Sequence, residues 1–193
     1  MKRIEEVYRE LLNQKNRELT QSELARTLNI SLSIVNLALK PLKRMNAVKV
    51  KQRGFVVTDA KKILYYWASI RNIDKDVIYK TRAEKQVRKI EAEMPSDTIY
   101  GAYSAYKFMF KDVPADYSEV YVYSENATEI EKRFPKNDKT PNLFVIKKDT
   151  NMKKMTEAQL FVDLWNIREW YAKEFIKEFE KKSINKINEA NYE

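Results

Sequence analysis

The chain has no cysteine and no histidine. The first absence excludes disulfides and thiolate chemistry. The second removes the commonest general base and the commonest metal ligand. Only two glycines occur in 193 residues, Gly54 and Gly101, so a glycine-rich phosphate loop cannot be built. No apolar run approaches the roughly 20 residues of a membrane-spanning helix. The opening Met1-Lys2-Arg3-Ile4-Glu5-Glu6 is charged and lacks the apolar centre of a signal peptide. The expectation is a soluble cytoplasmic protein, away from membranes, with no metal and no cofactor. Its length suits one large domain or two small ones.

The charge that is present is unevenly placed. Residues 1–72 carry 15 Lys/Arg against 6 Asp/Glu, and residues 73–193 carry 22 of each, so the whole net charge of +9 lies in the first part. A lysine-rich surface that is merely solvated would spread its excess over both parts. This asymmetry predicts a nucleic-acid partner for the first.

That part is organised around Thr20 to Thr58. Residues 2–14 read as a preceding amphipathic helix, with Ile4, Val7, Tyr8, Leu11 and Leu12 on one face. Thr20, with Glu23 three residues on, signals a capped helix start, and Asn29 a left-handed stop. Ser31 caps a second helix whose Val35, Ala38, Leu39 and Leu42 share a buried face. Pro41 should kink it near Leu37. Asn46 ends it. Residues 47–51 and 55–58 read as strands of a hairpin with Gly54 at its tip. Thr58, with Asp59, caps a further helix carrying Ile63, Leu64, Trp67 and Ile70, and the first domain ends near residue 74.

Helix, turn, helix and hairpin in that order form a winged helix-turn-helix. The segment resembles the winged-helix transcription regulators of archaea and bacteria through Leu28-Asn29-Ile30-Ser31, Val35, Leu39, Leu42, Asn46 and Val48. The resemblance implies double-stranded DNA as the partner, with the second motif helix in the major groove. Ser31, Ser33, Asn36 and Lys40 would then face bases or phosphates, and Lys43 and Arg44 phosphates. Lys49, Lys51, Gln52 and Arg53 would line the wing. Leu32, Ile34 and Leu37 are unusual at such positions and suit either thymine methyls or a protein contact.

Residues 75–193 predict a small α/β second domain within an α+β chain. Helix is expected over 81–94, a strand at 98–100, helix over 102–110, strands at 119–123 and 142–146, and mostly helix over 155–179. A frayed tail is expected from Ser183. Tyr100-Gly101-Ala102-Tyr103-Ser104-Ala105, the strand from Glu119, and Gln159-Leu160-Phe161-Val162-Asp163-Leu164 together resemble the antitoxin half of AbiE-type toxin–antitoxin systems. The resemblance implies a degenerate nucleotidyltransferase-like domain with a C-terminal helix pair, a cognate toxin as possible partner, and a repressor function. Taken singly, Gly101, Ser104 and Asp163 also suit plain structural roles. Active transfer needs carboxylates alternating on one strand, and Glu119 is followed on its face by Tyr121, so no catalytic residue is expected. Trp165, Trp170 and Ile176, beside the stripe Leu164, Ile167, Tyr171, Phe175 and Phe179, predict a homodimer or partner contact. Two alternatives remain: a regulator whose second domain senses a small molecule, and an active nucleotidyltransferase.

Overall fold

The structure, a computed structural model, describes residues 1–184. It is an α+β protein with nine α-helices and two small sheets among the described residues. The chain forms two compact units. One holds Met1–Arg71 together with residues 179–184, and the other holds Asn72–Glu178.

In the first unit, α1 (Arg3–Asn13) packs against α2 (Gln21–Leu28), α3 (Leu32–Arg44) and α4 (Ala60–Ile70). The helix ends follow local chemistry. Thr20 Oγ1 accepts the Glu23 N–H at 3.1 Å, and Ser31 Oγ accepts the Ile34 N–H at 3.4 Å. The Glu23 carboxylate bonds Arg17 at 2.6 Å. Asn29 and Asn46 take left-handed φ of 51° and 57°. Ile30 N–H then reaches Ala25 O and Ala47 N–H reaches Leu42 O, so each helix closes on a Schellman turn. The cap of α4 is Asp59, whose carboxylate accepts the Lys62 N–H at 2.9 Å; Thr58 instead donates to Asn46 O. Helix α3 continues through Pro41 to Arg44.

The hairpin strands β1 (Val48–Val50) and β2 (Phe55–Val57) pair antiparallel, Val48 opposite Val57. Leu19, outside any named strand, joins the outer edge of β2. It exchanges two backbone hydrogen bonds with Phe55, each 2.9 Å. Gly54 is needed for this approach, because a Cβ there would lie 2.4 Å from Leu19 O. The charged start of the chain is not all solvated. Glu5, Glu6 and Arg9 are buried, and the Glu5 carboxylate accepts from the Trp67 indole at 3.2 Å and pairs with buried Arg71 at 3.4 Å. The frayed tail expected from Ser183 is corrected for its first two residues. A π-helical turn covers Glu180–Ile184, buries Ser183 and Ile184, and is tied to α4 by the Tyr65 hydroxyl donating to Glu180 at 2.6 Å. The rest of that tail lies outside the described residues.

The second unit is built on a four-stranded sheet of order β3-β6-β5-β4: β3 (Val77–Thr81), β4 (Ile99–Tyr100), β5 (Val120–Ser124) and β6 (Leu143–Lys147). The β5–β6 pair is parallel and both flanking pairs are antiparallel. Alternation divides the strands. Val120, Val122, Leu143 and Val145 join a core with Ile90 of α5 (Val87–Ala92) and Ile130 of α7 (Thr128–Arg133). Tyr121 and Tyr123 point to the opposite face, toward the aromatic residues of α6 (Ala102–Phe110).

Two expectations fail here. The helix over 81–94 shrinks to α5, since Thr81 ends strand β3 and donates its hydroxyl to Pro135 O rather than capping. Tyr79 and Thr81 are the buried positions of an alternating edge strand. The mostly helical stretch over 155–179 is a pair, α8 (Glu157–Trp165) and α9 (Ala172–Phe179), so the apolar stripe from Leu164 to Phe179 is not continuous. Trp165, Trp170 and Ile176 therefore do not flank one continuous stripe: Trp165 ends α8, Trp170 lies between the helices, and Ile176 is half-buried in α9.

Candidate nucleic-acid interface

Helix α3 buries Val35, Ala38, Leu39 and Leu42 completely. The 3.6-residue repeat then turns Ser33, Asn36, Leu37 and Lys40 outward. All ten residues expected to face DNA are exposed: Ser31, Ser33, Asn36, Lys40, Lys43, Arg44, Lys49, Lys51, Gln52 and Arg53. The first six lie on α3 or its cap. The other four lie on β1 and the turn that Lys51 N–H closes on Gly54 O at 2.8 Å.

From Leu24 to Thr58 the sequence contains no acidic residue and seven Lys/Arg. This is the local signal behind the asymmetry of net charge. Among the described residues, none of Lys40, Lys43, Arg44, Lys49, Lys51 and Arg53 pairs with a carboxylate. Elsewhere exposed cations have acidic neighbours, as in Arg17–Glu23 at 2.6 Å, Lys132–Glu129 at 2.7 Å and Arg168–Asp74 at 2.7 Å. Six cations with no internal counter-charge leave a positive field that an anionic polymer can neutralise. Leu37 and Leu32 are 61% and 49% exposed on the same helix, while Ile34 is half-buried.

In the second unit the segments 100–105 and 159–164 meet at one side chain of β5, Tyr123. The Tyr123 hydroxyl donates to the Asp163 carboxylate at 2.8 Å, and Gln159 Nε2 donates to Asp163 at 2.9 Å. Gln159 and Asp163 lie one turn apart on α8 and are fully buried. Across the ring, a Cβ on Gly101 would stand 3.3 Å from Tyr123 Cε2. Gly101 has φ −113°, so no left-handed backbone calls for glycine there, and an added Cβ would be in tight contact with the Tyr123 ring; the left-handed residue is Ala102, at φ 44°. Tyr123, Gln159 and Asp163 form a buried hydrogen-bonded set. Sequence spacing placed Gln159 and Asp163 on one helix face but gave no sign of Tyr123 as their shared partner.

Glu119 precedes β5 and hydrogen-bonds the Tyr171 hydroxyl, and it accepts from Ser118 at 3.0 Å. Among the described residues no group of three His, Cys, Asp or Glu side chains could hold a metal ion. Burial, and after it the charge of Glu169, pushes the Tyr103 and Tyr121 phenols well above their ordinary range. A cleft of about 370 Å³ lies beside them, where Tyr121 and Phe144 stack at 4.7 Å, with Lys80, Arg168, Asp74 and Glu169 among its walls. Those four charges balance, and the Glu169 carboxylate accepts from both the Tyr103 and the Tyr121 hydroxyls at 3.4 Å. Trp165 and Trp170 are 43% and 75% exposed. No described helix is long and apolar enough to cross a membrane. Compared with known proteins, the chain matches no family model, and no curated protein or solved structure matches it significantly.

Proposed function

We propose that the protein is a transcription regulator that binds double-stranded DNA through a winged helix-turn-helix, with α3 in the major groove and the β1–β2 hairpin as the wing. The observation that carries this reading is the acid-free run from Leu24 to Thr58, which presents six exposed and unpaired cations on those two elements. The edge pairing of Leu19 with Phe55 supports it further, because it ties the hairpin to the segment that leads into α2. Lys40, Lys43 and Arg44 contact phosphates on one side of the groove, and Lys49, Lys51 and Arg53 extend the contact along the wing. Each neutralised phosphate contributes about −0.9 to the slope of log K against log salt. Titrating a duplex with the full chain at several salt concentrations tests this. Lys43→Ala and Arg53→Ala should each reduce the slope by about 0.9 with little change in sequence preference. A slope near zero for the native chain refutes the reading.

For the second unit we propose a nucleotidyltransferase-like domain without catalysis, in a repressor of the AbiE antitoxin type. The meeting of both motif segments at Tyr123 supports the family resemblance. Tyr121, at the position two along from Glu119, argues against a paired-carboxylate centre. Incorporation of labelled nucleotide with magnesium or manganese, lost in Glu119→Gln, would overturn the non-enzymatic reading. The exposed Trp165 and Trp170, with Ile176, would form the contact with a second copy or a cognate toxin. Light scattering of the native chain and of a Trp165→Ala/Trp170→Ala variant tests the homodimer, and a native monomer excludes it.

A further inference from the structure

Leu37 and Leu32 are the most exposed large apolar side chains of α3, and the groups around them narrow what covers them. Ser33, Asn36 and Lys40 share the exposed surface of the same helix, and no carboxylate lies anywhere on α3 or the hairpin. A protein partner with an apolar core would have to bury this face against a ring of unpaired cations. A major groove offers both what the cations need and, at each thymine, a C5 methyl that an exposed leucine can cover. The helix has no arginine before Arg44, its last residue, and Lys40 is the one cation in the middle of its exposed face. Asn36, the side chain suited to the N6/N7 edge of adenine, stands beside Leu37. Five residues turn Leu32 about 140° away from Leu37, so Leu37 stands at the middle of the exposed face, opposite buried Val35, Ala38, Leu39 and Leu42, and Leu32 stands at its flank.

Resting on the DNA-binding reading above, we propose that α3 selects A·T-rich major groove by covering thymine methyls with Leu37 and by pairing Asn36 with adenine. Leucine at position 37 is then a specificity device. It adds nothing to phosphate contact and gives no preference on DNA that lacks the methyl.

The test uses the full chain and four duplexes at one salt concentration: poly(dA-dT), poly(dA-dU), poly(dG-dC) and poly(dG-5-methyl-dC). Poly(dA-dU) keeps every hydrogen-bonding group of poly(dA-dT) and deletes only the methyl. Burial of one methyl-sized group corresponds to about a fourfold change in affinity. Poly(dA-dT) should bind at least fourfold tighter than poly(dA-dU), and the methylated G·C polymer tighter than the plain one. Leu37→Ala should bring the dT/dU ratio toward one while leaving the salt slope unchanged, and Leu32→Ala, at the flank of the face, should leave the ratio as it is. Asn36→Ala should reduce the preference for A·T over G·C without changing the dT/dU ratio. Equal affinity for poly(dA-dT) and poly(dA-dU), with a steep salt slope on both, overturns methyl recognition and leaves the DNA-binding reading standing. No binding to any duplex at low salt overturns both and turns the leucine face over to a protein partner.

Discussion

Gly54→Ala should damage the hairpin far more than a single methyl on a surface turn would suggest. The added Cβ would sit 2.4 Å from Leu19 O and 3.2 Å from Leu19 C. Both atoms are backbone, so no rotamer change relieves the overlap. The carbonyl that is struck is the one that accepts the Phe55 N–H at 2.9 Å, and Leu19 N–H returns the bond to Phe55 O at the same distance. Separating the strands enough to clear the methyl breaks both bonds. At about 1 kcal/mol each, the loss is about 2 kcal/mol, whereas an exposed substitution such as Arg53→Ala should stay within about 0.5 kcal/mol. For a unit of this size, 2 kcal/mol lowers the melting temperature by roughly 8–16 °C. Urea and thermal denaturation followed by circular dichroism measure the first effect. The second is functional: with the hairpin displaced from Leu19, Lys51 and Arg53 leave the plane set by α3, so the salt slope of duplex binding should fall while the α3 contacts persist. A Gly54→Ala protein within 0.5 kcal/mol of the native chain would refute the close approach and the tying of the hairpin to Leu19.

Three further outcomes follow from buried polar groups. Glu5→Ala removes the carboxylate 3.4 Å from buried Arg71 and the acceptor of the Trp67 indole, and should cost about 3 kcal/mol in denaturant unfolding; a loss under 1 kcal/mol would show that the pair is dispensable. Tyr123→Phe removes a donor to the buried Asp163 carboxylate and should cost about 2 kcal/mol, and a double-mutant cycle with Asp163→Asn should show strong coupling between the two positions. Additive losses in that cycle would dissolve the network. Burial, then the hydrogen bond to Glu119, pushes the Tyr171 phenol up to about 12, and burial first of all raises Tyr103, Tyr117 and Tyr121 as well. The folded values lie above the unfolded value near 10, so the protonated phenols contribute stability that is complete below pH 10 and is lost as pH rises toward 12. Phenolate absorbance of the native protein should therefore lag behind that of the urea-unfolded chain, and coincident titration curves would contradict the burial.

Much of the first unit was legible in the chain because its signals are local. Thr20, Asn29, Ser31 and Asn46 act within four or five residues of themselves, and Val35, Ala38, Leu39 and Leu42 need only the helical repeat to share a face. The charge asymmetry was equally plain, since it requires no folding to count. The α+β class and the central strands β5 and β6 were readable from short β-branched and aromatic runs. The edge strand β3 was not: its alternation is brief, and Thr81 also fits a helix cap until Pro135 takes its hydroxyl. Nor was the break at residues 166–171, where apolar spacing continues through a segment that is no longer helical.

Other features depend on partners distant in sequence. Leu19 becomes a strand residue only when Phe55 arrives beside it, and Gly54 is needed only once it does. Glu5 and Arg71 look like solvated charges until α1 and α4 close over them. Tyr123 joins Asp163 across forty positions. Capping, periodicity and local charge are properties of neighbours along the chain, and the order of residues is enough to set them. Pairing, burial of charge and the choice of glycine by close approach are properties of neighbours in space, and they exist only after the chain has folded back on itself.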